Sequence, residues 1–117
     1  MKKETVTLDA KGRAAGRVAT QAALLLQGKH TAAYAPHIDA PVYVKIENAG
    51  LIRITGKNKM KQKEFRHHSG HPGGLKSRSL ESVWAKDPTE VLRHAIKRML
   101  PKNNLLHHRM TRLTITK

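Results

Sequence analysis

Residues 4–10, ETVTLDA, alternate in character: Val6 and Leu8 stand between polar neighbours. A period of two predicts a strand with one face toward a core. After the turn KGR the period changes. From Ala14 to Gln27, the apolar positions Ala15, Val18, Ala19, Ala22, Leu25 and Leu26 recur at helical spacing, with Arg17 and Gln21 off the stripe. This predicts an amphipathic helix. Gly28 is placed to end it in a left-handed conformation. A long connection with two prolines follows, GKHTAAYAPHIDAP (28–41). VYVKIEN (42–48) is rich in β-branched residues and predicts a second strand. AGLIRITG (49–56) predicts a turn and another short strand.

The pattern then dissolves. GKNKMKQKEFRHHSGHPGGLKSR (56–78) is dense in Lys and Arg and has one acid, Glu64. Within it KEFRHH fits a strand, and the flanks read as loop. SLESVWA (79–85) predicts a short helix with Leu80, Val83 and Trp84 inward. Asp87, Pro88 and Glu90 then supply an N-cap, a first-turn proline and a capping-box partner. The helix they start should run over 88–100, burying Leu92, Ala95, Ile96 and Met99 and exposing Arg93 and Lys97. Pro101 stops it. NNLLHHRM predicts one more helical turn and RLTITK (112–117) a closing strand. Strands and helices alternate, so the expected class is α/β: a mixed or parallel sheet with helices on its faces.

The length of 117 residues suits one domain, spanning 1–117, with a basic loop or extended segment at about 56–78. Charge changes the picture most. There are 23 Lys and Arg against 8 Asp and Glu, a formal +15. So much like charge repels itself in a compact fold, which calls for an anionic partner. There is no cysteine, so disulfides and thiolate metal sites are excluded. No apolar run approaches the roughly 18 residues that span a bilayer, and the first residues lack the apolar region of a secretory signal. The expectation is a chain that stays in the cytoplasm where it is made.

Residues 66–74, RHHSGHPGG, hold three histidines and a serine. On a helix, His67 or His68 with His71 would share a metal, but Gly70, Pro72, Gly73 and Gly74 oppose a helix, and the glutamate of zinc-protease motifs is missing. No metal site is expected. Ser69, His71 and Asp39 could be assembled into a hydrolase triad, yet the G-x-S-x-G elbow is absent. DAKGRAAGR (9–17) joins strand to helix, where a phosphate-binding loop belongs. The dinucleotide fingerprint fails there at Ala14, and Lys57 is followed by Asn58, so there is no P-loop. The helix N-terminus with Arg13 and Arg17 remains able to hold a phosphate, of a polynucleotide or of a free nucleotide. The helices are too poor in large apolar residues for membrane binding. Nucleic acid accounts for most of the pattern. Lys57, Lys59, Lys61 and Lys63 would alternate along an extended segment and track a backbone. Arg66, Lys76 and Arg78 would continue that patch, histidines would bond phosphates or stack on bases, and glycines would let the main chain approach. With no aromatic RNP pattern, zinc finger or helix-turn-helix, backbone and shape recognition of folded RNA is favoured.

KGRAAGRVAT (11–20), GKHTAAYAPHID (28–39), ITGKNKMKQKEFRHHSGHPGG (54–74) and AIKRMLPKN (95–103) occur in the order and spacing of one family. Over nearly its whole length the chain resembles bacterial-type large-subunit ribosomal protein thirteen. The resemblance implies a three-layer α/β/α fold with a four-stranded, mostly parallel Rossmann-like sheet. It implies a structural role on large-subunit ribosomal RNA, early in subunit assembly and beside neighbouring ribosomal proteins. It brings no catalysis, cofactor, small-molecule substrate or membrane. The RNA-binding residues it implies are Arg13, Arg17, Lys29, His30, Tyr34, His37, Lys57, Lys59, Arg66, His67, His68, His71, Lys76 and Lys102, and the alternation of lysines adds Lys61. On this view RHHSGHPGG is an RNA-facing loop. NNLLHHRM departs from the family, being polar where a more regular basic helix is usual. Family members commonly continue past the position of Lys117, and contacts of that extension lie outside this sequence. Two other readings remain open: a nucleotide-binding enzyme using 9–17, and an assembly factor that binds RNA transiently. The sequence fits a bacterial and an organellar ribosome equally.

Overall fold

The computed structural model describes residues 2–56 and 58–117. Strand β1 (Glu4–Asp9) leads into helix α1 (Ala15–Gln27), and strand β2 (Val42–Glu47) follows the long connection. A one-turn helix α2 (Lys59–Gln62) precedes the strands β3 (Glu64–His68) and β4 (Leu75–Ser79). Helices α3 (Leu80–Lys86), α4 (Pro88–Met99) and α5 (Leu105–Thr111) come next, and strand β5 (Leu113–Ile115) closes the chain. β1, β2 and β5 form a parallel sheet with β2 central, registered by Val6 opposite Val44 and by Val44 opposite Leu113. β3 and β4 pair antiparallel as a separate hairpin.

Burial follows the alternation along the strands. Val42, Val44 and Ile46 are buried, and Val6, Leu8, Leu113 and Ile115 join them on the same face. Against this face lie Val18, Ala19, Ala22, Ala23 and Leu26 of α1, then Leu92 and Ile96 of α4. Each fully buried Leu or Ile contributes about 1.5–3 kcal/mol relative to exposure. The small alanines let α1 approach closely. Gly28 ends α1 at φ 75°, its N–H donating to the carbonyls of Leu24 and Leu25. A Cβ on Gly28 would sit 2.5 Å from that of Ala40, so the turn needs glycine both for its backbone angle and for this approach.

Two expectations about the sheet are corrected. Among the described residues it has three strands, not four. Asn48 turns the chain with φ 59°, Ala49–Leu51 form a 3-10 turn, and only Arg53 makes a bridge, to Ala14. A polar side chain that tolerates the left-handed region ends β2 where a further strand was expected. The described residues also form two layers and not three. Tyr43, Lys45, Thr5, Thr7 and Thr114, on the other face of the sheet, are exposed. Parallel sheets covered on both faces have continuous apolar strands, and V-Y-V-K-I-E is instead alternating.

The helix caps differ in detail from expectation. Asp87 does cap α4, its Oδ1 accepting from the N–H and the hydroxyl of Thr89 at 3.1 and 2.9 Å. Glu90 does not complete a capping box, because its carboxylate reaches Arg78 on β4 at 3.0 Å. Met99 is not buried. It is 43% exposed, with its sulfur 3.5 Å from the Thr20 hydroxyl. Val91 takes an inward position instead. The segment NNLLHHRM yields two helical turns in α5, which packs Leu106 and Met110 on the core.

Candidate nucleic-acid interface

The residues expected to bind RNA fall at opposite ends of the sheet. At the carboxyl end of the strands, β1 turns into α1 through Gly12, which is at φ 69°. Its N–H donates to the Leu51 carbonyl, and the Arg53 N–H donates to the Arg13 carbonyl. The first turn of α1 is thereby fixed to the segment after β2. Arg13 extends to the Gln21 side chain at 2.7 Å, and Arg17 is exposed on the same turn. Ala14, at the N-cap, provides no side-chain acceptor. The Ala15 N–H donates to the Arg53 carbonyl and those of Arg17 and Val18 to the Ala14 carbonyl, so what the helix start offers a phosphate is its positive dipole end beside two guanidinium groups.

The basic segment rises from this end as an arm. Lys59 and Lys61 lie on the single turn of α2 and are exposed. The alternating extended run of lysines is therefore not formed at these positions, and Lys57 lies outside the described residues. β3 and β4 pair Arg66 with Ser77, His67 with Lys76 and His68 with Leu75. Every one of these side chains is exposed. Cross-strand neighbours share a face, so His67 and Lys76 project together.

RHHSGHPGG is the end of β3 and the hairpin loop. The Gly70 N–H donates to Nδ1 of His68 at 2.9 Å, and Nδ1 of His71 sits 2.9 Å from the Pro72 carbonyl. The loop closes through the Ser69 and Gly74 amides, to the Gly74 and His71 carbonyls. A Cβ on Gly74 would collide with the Ser69 side chain. The histidine Nδ1 atoms shape this loop, which leaves the Nε2 atoms for a partner. Among the described residues no group of three or more His, Asp or Glu is arranged to hold a metal ion. Nor does a triad assemble: Asp39 lies at the far end of the sheet and is bonded to Arg112.

At that far end is the connection 28–41. Lys29, His30, Tyr34 and His37 are all exposed there. The Lys29 ammonium lies 5.8 Å from the Tyr34 ring centre, and Nε2 of His30 lies 3.1 Å from a Glu4 carboxylate oxygen. The connection is anchored by Arg112, which sequence reading missed. Its guanidinium donates to both oxygens of Asp39 at 2.5 and 2.7 Å, to the Val42 carbonyl at 3.1 Å and to the Leu26 carbonyl at 3.3 Å. Hydrogen bonds from Arg112 lead the causes that hold the Asp39 carboxyl below the usual 3.8; burial opposes them. Lys102 is exposed in the turn between α4 and α5.

A second missed group lines a cleft of about 500 Å³ between the first turn of α1, residues 53–55, β3 and α4. Arg53, His94 and Arg98 belong to it together with Lys59, Lys63 and Arg66. The signal was faint: His94 and Arg98 lie on a helix read as a core element. Burial, and then Arg98, Lys63 and Lys97, hold the His94 imidazole below the usual 6.5, with Glu90 opposing.

Comparison with known proteins identifies a family. The family model for "Ribosomal protein L13" matches residues 3–117. "Large ribosomal subunit protein uL13" of Clostridioides difficile is 44% identical over 108 residues, 92% of this chain and 75% of that protein. The same-named protein of Aquifex aeolicus is 45% identical over 108 residues, 92% of this chain and 74% of its own. That of Trichlorobacter lovleyi is 44% identical over 119 residues, 97% of this chain and 83% of its own. This is a family of structural ribosomal proteins, not of enzymes. On the match across its length, and on identity with these relatives, the chain belongs to the ribosomal protein L13 family.

Proposed function

We propose that this protein is a structural component of the large ribosomal subunit that binds ribosomal RNA and supports early subunit assembly. The observation that carries this reading is the exposed hairpin, with Arg66, His67, His68, His71 and Lys76 on an arm that buries little beyond Phe65 at its foot. An arm of this kind is stabilised by what it binds. Its cations neutralise phosphates and release counterions, and its glycines let RNA approach the main chain. Arg13 and Arg17 add a phosphate site at the start of α1. Lys29, His30, Tyr34 and His37 form a second contact region at the other end of the sheet, and Lys102 adds a cation near the end of α4. By lowering repulsion between RNA segments, the protein holds them together while the subunit forms. Its partners are large-subunit ribosomal RNA and adjacent ribosomal proteins. The bacterial relatives suggest a cytoplasmic ribosome.

Gradient sedimentation of a native lysate, at moderate and high salt, tests this. The chain should appear in stoichiometric amount in mature large subunits. Presence only in lighter precursors would mean a transient assembly factor. Reversing the charges of Lys59, Arg66 and Lys76 together should reduce incorporation, and unchanged incorporation would remove the hairpin from the interface.

A further inference from the structure

The cleft at the foot of the arm differs from the rest of the basic surface. Elsewhere the cations stand on open faces suited to a passing backbone. Here they ring a concave site of about 500 Å³ with an apolar floor that includes Leu80 and Val91. That volume falls within the roughly 300–1,000 Å³ of clefts that enclose a small ligand. On one wall the rings of Phe65 and His94 meet edge to face, centres 4.5 Å apart at 68°. The Lys63 ammonium lies 6.0 Å from the Phe65 ring centre. The nearby acid, Glu64, is paired with Arg66 at 3.2 Å. Among the described residues no carboxylate lies within ion-pair distance of Arg53, Lys63 or Arg98.

Resting on the RNA-binding reading above, we propose that this cleft receives a single unstacked nucleotide of the ribosomal RNA, its base against the Phe65–His94 pair and its phosphate among Arg53, Lys63 and Arg98. A base removed from a helix needs an aromatic surface and a shielded pocket, and folded RNA offers such bases in loops and bulges. Stacking is tolerant of base identity, and the cations supply the phosphate contact. A duplex backbone alone would use the cations and leave the aromatic wall empty. A free nucleotide has the same chemistry, and the cleft does border the first turn of α1, so the test separates the two.

The full chain is bound to large-subunit ribosomal RNA, irradiated to form zero-length cross-links, and mapped by mass spectrometry. Cross-links at Phe65 or His94 to one nucleotide position are expected. His94→Ala should weaken RNA affinity about tenfold. Arg98→Glu, at an exposed position, should abolish the cleft cross-link while leaving those in the hairpin loop. Cross-links in the hairpin without any at Phe65 or His94 would overturn the proposal and leave the RNA-binding reading standing. Failure of the unaltered chain to bind this RNA would overturn both. In parallel, equilibrium dialysis with labelled AMP should show no stoichiometric site. Saturable AMP binding that Arg98→Glu removes would assign the cleft to a free nucleotide instead.

Discussion

Asp39 faces two guanidinium groups, Arg112 at hydrogen-bond distance and Arg109 at 3.9 Å. Arg109 is almost fully buried, and its Nε has no hydrogen-bond partner. One carboxylate therefore offsets two cations that water reaches poorly. Asp39→Asn should destabilise the fold by about 3 kcal/mol, measured by urea unfolding, because it leaves both charges uncompensated. The pH dependence follows from the lowered carboxyl. The stability it contributes is complete above 3.8 and is lost as pH falls through the folded-state value. The Asn variant should lack that part of the acid transition. Burial first, then Arg98, Lys63 and Lys97, lower the His94 imidazole, and Glu90 opposes them. Its midpoint by NMR should lie below 6.5, and Arg98→Ala should raise it. A midpoint unmoved by that substitution would mean that burial alone sets it.

Elements were legible wherever periodicity and punctuation agreed. Val6 and Leu8, the stripe from Ala15 to Leu26, Gly28, Asp87–Pro88 and Pro101 each marked a boundary that the structure keeps to within a residue or two. Legibility failed where a side chain had two partners to choose from. Glu90 stands at the capping-box position, and only the tertiary fold brings Arg78 close enough to take it. Asp87→Ala should therefore lower the unfolding midpoint more than Glu90→Ala, a comparison that thermal melts decide. The hairpin was half legible. KEFRHH carried strand character, but LKSRS has little apolar content, and its pairing depends on the tight Gly70–Gly74 loop. The layer number was written in the alternation V-Y-V-K-I-E, which leaves one face polar. The family resemblance pointed to a more enclosed sheet than these residues form. Arg112 was invisible for a different reason. Its partners lie at Leu26, Asp39 and Val42, and no local pattern announces a contact made across that separation. Gly28→Ala joins both effects, an unfavourable backbone angle and the contact with Ala40, and should cost more than about 1 kcal/mol.

At the scale of the molecule, the proposed RNA-binding residues, Lys57 and Lys102 aside, divide into two regions separated by the length of α1. Thirteen helical residues span about 20 Å. Arg13, Arg17, the hairpin and the cleft occupy one end, and Lys29, His30, Tyr34 and His37 the other. Both ends cannot meet the same few phosphates, so in the proposed role the protein would span RNA as a strut between segments. Substitutions at sites this far apart add when the sites act independently. The prediction is made for RNA affinity measured across a salt series. Lys29→Glu and Arg66→Glu should each weaken binding and each reduce the slope of log affinity against log salt by about one. If the RNA segments are already arranged as the protein meets them, the double variant should show the sum of the two losses. A double loss smaller than the sum would mean that one contact forms only after the other has drawn the RNA in. Such coupling is expected if the protein joins the RNA before that RNA has folded, so the same affinities also report when in assembly it binds.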